Sequence, residues 1–375
     1  MEMIHSFKSL AGISSDHPCL WGDFEVRDSQ PLQTWHNATL LPPRRRKGQT
    51  LWWRRYGFGA FDASGQHLRT LSDMRGKRHC CHPALRLEDN QYNENRLVEH
   101  EVVLYGGTLY DHIGHLILDG GRAYQLLHHY RDSELPIWFH DASPNRHGPA
   151  ILKLALVQDW FKQLGLRKRA KLIRRPMLAR QLVSGPALCC DRSFASRDLR
   201  TACVAALKPR LRGRLETISQ PERRLAYLSR HKLSQGSTHF AQEAELVAQL
   251  SQLPNVDIIC PEELNFEQKL NLYSRYEIIT GFPQACMTLR MFVPGEQLAQ
   301  QVMFIAGARS LSSTWVNIDR ATDGGVGYFD CGLNESQTVA DDPSAAFQRS
   351  NQFNVETVLR AVQTPGCLAG LTTLD

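Results

Sequence analysis

From Arg224 onward, short apolar runs alternate with amphipathic segments, and this alternation limits the possible folds more than any other feature of the chain. Arg224 to Ser229 (RLAYLS) reads as a buried strand. Gln242 to Leu253 places Leu246, Leu250 and Leu253 on one stripe, which is helical spacing. Val256 to Ile259 predicts a strand, Phe266 to Ser274 a helix, and Tyr276 to Thr280 a strand that ends at Gly281. Cys286 to Phe292 again reads as helix and Gln301 to Ile305 as strand. Strands that alternate with helices build a mostly parallel, Rossmann-like sheet, so the fold class expected is α/β.

The first half is less regular. Phe61 to Gln66 looks like a strand end followed by a turn, and Leu51-Trp52-Trp53 is a short apolar run, so hairpins are expected there. Glu101 to Tyr105 predicts a short strand that stops at Gly106-Gly107. His115 to His129 has helical spacing interrupted by Gly120-Gly121. Leu135 to Phe139 reads as a strand, Ile151 to Leu164 as a helix capped by Gly165, and Leu182-Val183 with Leu188 as a further strand. A chain of 375 residues exceeds one usual core, so two domains are expected, 1–205 and 206–375. The boundary is sought in the charge-dense stretch between Asp191 and Glu222. Val355 to Val362 predicts a terminal helix that packs back across the domains.

Composition removes several classes. A hydrophobic fraction of 42% fits a globular protein, not a disordered one. No run approaches the roughly 18 uncharged apolar residues of a membrane span, and Met1 to Leu20 lacks the apolar core of a secretory signal. Ten cysteines without a CxxC spacing are expected to be reduced thiols in a cytoplasmic protein. Lys and Arg total 44 against 38 Asp and Glu, a mild excess of +6. Two basic runs, Arg44 to Lys47 ahead of Trp52-Trp53 and Arg167 to Arg175, suit an anionic membrane face or lipid-linked ligand as well as plain solvation. No nucleic-acid fold signature accompanies them, so no nucleic-acid partner is expected.

Three segments carry chemistry. Ser229, Arg230 and Lys232 follow a buried strand at its carboxyl end, where open α/β sheets place ligands, and this set suits a diphosphate. A Pro-led loop, Cys260-Pro261-Glu262-Glu263, and the strand stop at Gly281 shape the neighbouring crevice. Asp111, His115 and Asp119 begin a helix, and His115 and Asp119 lie one turn apart, the spacing of a general base with its orienting carboxylate. His79-Cys80-Cys81-His82 invites a metal reading, but four consecutive residues cannot readily surround a tetrahedral ion, so no metal is expected.

Taken in order, the motifs resemble glycosyltransferase family 61, which includes bacterial capsular-polysaccharide enzymes. The shared elements begin with Gly114-His115-Leu116-Ile117-Leu118-Asp119, Leu135-Pro136-Ile137-Trp138 and Tyr227-Leu228-Ser229-Arg230. Gln242-Glu243-Ala244-Glu245-Leu246 follows, then Pro261-Glu262-Glu263-Leu264 with Gln268. Gly281, Ala285 and Thr288 fit the next motif, but Pro283 stands where the family has His and Leu289 where it has Asn.

The resemblance implies a GT-B-like architecture of two facing Rossmann-like domains with a cleft between them. The 1–205 domain would take the acceptor and 206–375 the nucleotide-sugar. It implies an inverting hexosyl- or pentosyltransferase that moves sugar to a polysaccharide or lipid-linked glycan, without cofactor or metal, in the cytoplasm or at the inner membrane face. Asp119, His115 and Asp111 are then the catalytic candidates. Ser229, Arg230, Lys232, Glu263, Gly281 and Thr288 are the donor-binding ones. The departures at Pro283 and Leu289 motivate a second expectation, a non-catalytic binding or assembly relative.

Overall fold

The computed structural model describes residues 6–7, 19–46, 56–76, 79–80, 97–142, 148–217, 223–233, 239–295, 299–305, 311–322, 325–331, 350–364 and 367–368. The predicted features at Lys47, Trp52, Trp53, Cys81 and His82 lie outside them. The protein is a mixed α/β chain with two compact units, one of Arg27–Leu211 and one of Met1–Val26 with Arg212–Asp375. Among the described residues no helix is long and apolar enough to cross a membrane.

In the Arg27–Leu211 unit the strands are β1 (Gln33–Arg45), β2 (Tyr56–Phe61), β3 (Val98–Leu109), β4 (Ile137–Asp141), β5 (Ala170–Leu172) and β6 (Met177–Ser184). They form one sheet in the order β5-β4-β3-β6-β1-β2. The pairs β5–β4, β4–β3 and β3–β6 are parallel, and β6–β1 and β1–β2 are antiparallel. Among the described residues it is accompanied by helices that include α1 (Ile113–Leu118), α2 (Gly121–His129), α3 (Ala155–Leu164) and α4 (Leu199–Ala206). Ala38, Leu40, Val103, Tyr105 and Leu182 form part of its core.

Three details differ from the periodicity reading, each for a physical reason. β3 does not stop at Gly106-Gly107 but runs through to Leu109. A Cβ on Gly106 would sit 2.4 Å from the Phe139 ring, and Gly107 takes φ +95° where the register against β4 shifts. The glycines allow a bulge and a close approach within a continuing strand. The helix starting at Ile151 begins instead at Ala155, after a 3₁₀ segment over Gly148–Lys153. The Cys286–Phe292 helix is a 3₁₀ segment, Ala285–Phe292. The break at Gly120-Gly121 is present, and there Tyr124 donates its hydroxyl to the Ile117 carbonyl at 2.8 Å.

In the second unit, β7 (Arg223–Leu228), β8 (Val256–Ile259), β9 (Tyr276–Gly281), β10 (Gln300–Ile305) and β11 (Gly327–Asp330) are all parallel, in the order β8-β7-β9-β10-β11. Helices α5 (Glu243–Leu250), α6 (Phe266–Arg275) and α7 (Ser313–Ala321) lie between successive strands. Ser6–Phe7 pairs antiparallel with Tyr328–Phe329, and Leu20–Trp21 pairs parallel with Leu311–Ser312. The last helix, α8 (Val355–Gln363), packs on α5, with Val358 and Ala361 inside this unit's own core. In sequence order this sheet reads 2-1-3-4-5, a doubly wound arrangement whose strand order reverses between β7 and β9.

Candidate functional site

Two side-chain centres stand out, each within one unit. The first lies at the reversal point between β7 and β9. Ser229 follows β7 directly and is fully buried. Its hydroxyl is 2.7 Å from His231 Nδ1. Glu243, buried at the start of α5, accepts at Oε1 from Tyr227 Oη at 3.1 Å, Ser229 Oγ at 3.3 Å and the Arg230 N–H at 2.9 Å. One carboxylate oxygen thus fixes the turn that leaves the strand, and sequence reading had taken Glu243 only as part of an acidic helix start. Burial raises the Glu243 carboxyl above its ordinary value against the pull of these donors.

The Arg230 guanidinium makes no hydrogen bond among the described residues, and its Nε is buried without a partner. Burial lowers its pKa, opposed by the charges of Glu243 and Glu262. On β9, the Thr280 hydroxyl is likewise buried without a partner among the described residues. The two groups sit at the ends of adjacent strands, Arg230 just past β7 and Thr280 next to the end of β9.

Gly281 closes β9 at φ +147°. A Cβ there would lie 2.7 Å from the Leu228 carbonyl oxygen, which also accepts from Gln284 Nε2 at 2.7 Å. The two loops are therefore locked together through one carbonyl. Gly281→Ala should push β7 and β9 apart at their ends and destabilise the protein by about 1–3 kcal/mol. Urea unfolding of the variant reads this directly, and an unchanged midpoint would show that the ends yield without cost.

The remaining predicted donor residues are placed differently. Lys232 and Glu263 bond each other at 2.9 Å, both about half exposed. Thr288 is buried, with its hydroxyl donated to the Ala285 carbonyl at 2.7 Å. Gln268 completes a capping box with Asn265 at the start of α6. Pro283 is half-buried beside Gly281, whereas Leu289 is a core position with 0% exposure.

The second centre lies in the Arg27–Leu211 unit. Its hub is Arg75, which sequence reading missed. Arg75 donates to Asp119 Oδ1 at 3.0 Å and Oδ2 at 2.7 Å, with Nη2 2.8 Å from His115 Nδ1. An arginine only donates, so Nδ1 accepts and the proton of a neutral His115 rests on Nε2. His115 Nδ1 and Asp119 Oδ2 are themselves 3.7 Å apart. His115 and Asp119 therefore share one end of α1, but they make no direct hydrogen bond, and the Arg75 guanidinium is bonded to each of them. Beside it, buried Arg122 donates to Asp73 Oδ1 at 3.0 Å, and Tyr110 Oη donates to Asp73 Oδ2 at 3.0 Å. Asp111 is half-buried, two residues before α1.

Burial raises the Asp119 carboxyl from 3.8 to about 6, against the attraction of Arg75. Its folded pKa exceeds its unfolded one, so its contribution favours folding below about pH 4 and is lost as pH rises through about 6. Asp119→Asn should remove that slope, changing the pH 4 to pH 7 difference in unfolding free energy by roughly 2–3 kcal/mol. Unfolding curves at matched pH for parent and variant test it, and identical slopes would refute the assignment.

Among the described residues no group of three His, Cys, Asp or Glu side chains is arranged to hold a metal ion. In the Arg167 to Arg175 run, Arg167 donates to the Gln158 carbonyl at 3.2 Å and Arg169 to Leu135 at 3.0 Å, so part of that run serves local structure.

No curated protein matches the chain at a significant level. A family model does match, over residues 114–298, a span that takes in His115, Asp119, the Ser229–Arg230 turn and Gly281 but begins after Asp111 and Arg75. That match is to glycosyltransferase family 61, and it supports placing the chain in this family and reading it as a glycosyltransferase.

Proposed function

We propose that the protein is an inverting glycosyltransferase that binds a nucleoside-diphosphate sugar at the carboxyl ends of β7 and β9. The observation that carries this reading is the pair of buried, unpartnered polar groups, Arg230 Nε and Thr280 Oγ1, at the strand-order reversal of a parallel sheet. Ligands of such sheets bind at that reversal. A diphosphate supplies acceptor oxygens for the guanidinium, and a fixed cation beside the leaving group stabilises the charge that develops as the sugar departs. Because Glu243 and Ser229 already occupy the N–H groups of Arg230 and His231, the side chain of Arg230 and not the loop backbone makes the main contact. Lys232 joins only if it leaves Glu263.

Inversion requires one base for the acceptor hydroxyl. We assign it to the Asp119–His115 centre, with Asp111 nearby in sequence. A carboxyl titrating at about 6 is matched to proton transfer near neutral pH. The acceptor is a polysaccharide or lipid-linked glycan, met in the cytoplasm or at the membrane face.

Calorimetric titration with UDP, GDP, CMP and dTDP and their common sugars tests the donor site. Binding of at least one nucleotide, lost in a Ser229/Arg230 variant, is expected, and no binding across the set defeats the proposal. Nucleotide binding without sugar transfer to any native acceptor would instead favour the non-catalytic reading that Pro283 and Leu289 motivate.

A further inference from the structure

Ser229, at the carboxyl end of β7, joins two groups of very different exposure. Its fully buried hydroxyl lies 3.3 Å from Oε1 of buried Glu243 and 2.7 Å from Nδ1 of His231, an exposed residue. The His231 backbone N–H also donates to the same hydroxyl oxygen, at 3.2 Å. A serine hydroxyl has one proton to give and two lone pairs that accept. Oε1 of Glu243 already accepts from Tyr227 and from the Arg230 N–H, as an ionised carboxylate does. The Ser229 proton therefore goes to Glu243, and both lone pairs accept from His231. This puts a proton on His231 Nδ1, the reverse of His115. The neutral ring then has a bare Nε2, which becomes a donor when the ring takes up a second proton.

A buried carboxylate, a buried hydroxyl and an exposed imidazole thus form one chain, and a carboxylate at its inner end favours the charged ring. The Leu233 N–H donates to the Arg230 carbonyl at 2.9 Å, so Arg230 to Leu233 form a tight turn with His231 inside it. The other charged groups about this turn are Arg230 and Lys232 on the turn itself, Glu243 on α5, and Glu262 and Glu263 on the loop after β8. Burial raises the neighbouring Cys260 thiol, which keeps it uncharged near neutral pH. Lys232 is taken up by Glu263, so Arg230 is the cation of the turn that the donor reading uses. A nucleoside diphosphate carries more than one negative charge, and one guanidinium leaves part of it unmatched.

We infer that His231 is the second cation of the donor site, holding its ring through Ser229 and Glu243 and donating Nε2–H to the diphosphate as an imidazolium. The inference rests on the nucleotide-sugar reading above and deepens it by naming a further residue of that site. Arg230 and His231 are adjacent, with Cα atoms about 3.8 Å apart, close enough to serve the two phosphates of one ligand. A donor at the leaving oxygen stabilises the charge that develops there as the sugar departs.

The test titrates the full chain calorimetrically with UDP, GDP and dTDP and with UMP, GMP and dTMP, at about pH 6.5 and about pH 8, and records the ¹⁵N shifts of the histidine rings. In the free protein at the higher pH, the ring signal lost in His231→Gln should show its proton on Nδ1. With the best-binding diphosphate both ring nitrogens should be protonated. Binding then takes up protons, so its heat depends on the ionisation enthalpy of the buffer, and this dependence should shrink in His231→Gln. That variant should bind the diphosphate roughly three- to tenfold more weakly at the lower pH, with a smaller loss for the monophosphate. His231→Arg should recover part of the affinity and none of the proton uptake. A free ring protonated on Nε2 overturns the chain and with it the inference. Diphosphate affinity and proton uptake unchanged in His231→Gln overturn the role of His231 alone and leave the donor site standing. If none of the three diphosphates binds, the donor reading fails and the His231 assignment falls with it.

Discussion

Arg230→Ala should weaken nucleotide-sugar binding about ten- to a hundredfold while leaving unfolding free energy within about 0.5 kcal/mol of the parent. The separation follows from the side chain's position. Its guanidinium makes no hydrogen bond among the described residues, so truncation breaks no internal bond. What the variant loses is the charge-assisted contact to the diphosphate, worth roughly 1.5–3 kcal/mol. Arg230→Lys should recover only part, because an ammonium lacks the planar fork. Lys171→Ala, an exposed member of the Arg167 to Arg175 run, is the control and should leave donor affinity unchanged. Calorimetry with the best-binding nucleotide reads the affinities and urea denaturation reads the fold. Parent-like affinity in Arg230→Ala would remove Arg230 from the donor site. Unfolding of that variant would make it a structural residue balanced by Glu243.

The larger stability effect is expected at Arg75. Arg75→Ala leaves the Asp119 carboxylate buried without its forked partner, and breaking a buried pair from one side typically costs about 3–5 kcal/mol. The Asp119 pKa should rise further, so the loss is greatest above neutral pH and shrinks as the carboxyl protonates. Removing both charges in Arg75→Ala/Asp119→Ala should restore much of the stability, and a double-mutant cycle yields the coupling. His115 offers a second readout. Without the Arg75 N–H at Nδ1, its tautomer is no longer fixed, and the ¹⁵N shifts of the ring should change. A single variant within about 1 kcal/mol of the parent would show that Arg75 does not hold α1 in place.

Much of the second unit's sheet was legible because β9 and β10 are largely buried and β8 is half-buried along its length, so apolar runs mark them. Val256 to Ile259 matches β8, and the strand read over Tyr276 to Thr280 is β9, which includes Gly281. Ser229, Arg230 and Gly281 are brought to adjacent strand ends, as the strand-end rule anticipates. Arg75 was invisible for a simple reason: its partners His115 and Asp119 are 40 and 44 residues away, and no local period connects them. Glu243 was concealed by looking like an ordinary helix-start acid, since burial and not spacing sets its role. Lys232 suited a diphosphate by type, but on the neighbouring loop Glu263 meets its charge first. Thr288 was misleading in another way, because a hydroxyl inside a 3₁₀ turn is satisfied by the carbonyl three residues back. Leu289, which replaces the family's Asn, is packed in the core, so Leu289→Asn would bury an amide instead of restoring a contact.

The pairing of Ser6–Phe7 with Tyr328–Phe329, and of Leu20–Trp21 with Leu311–Ser312, sets a condition on biosynthesis. These segments precede their partners by about 300 residues, which at 5–20 residues per second is a wait on the order of fifteen to sixty seconds. The Arg27–Leu211 unit is complete in sequence well before that wait ends. The pairing of these early segments therefore waits until Leu311–Ser312 and Tyr328–Phe329 have been made, whatever forms earlier on the nascent chain. A gene fragment cut at Arg212 would lack both early segments and leave the outer edge of β11 without its antiparallel neighbour, an open template for association. The cut between Leu211 and Arg212 divides the fold into units without dividing it into expressible pieces.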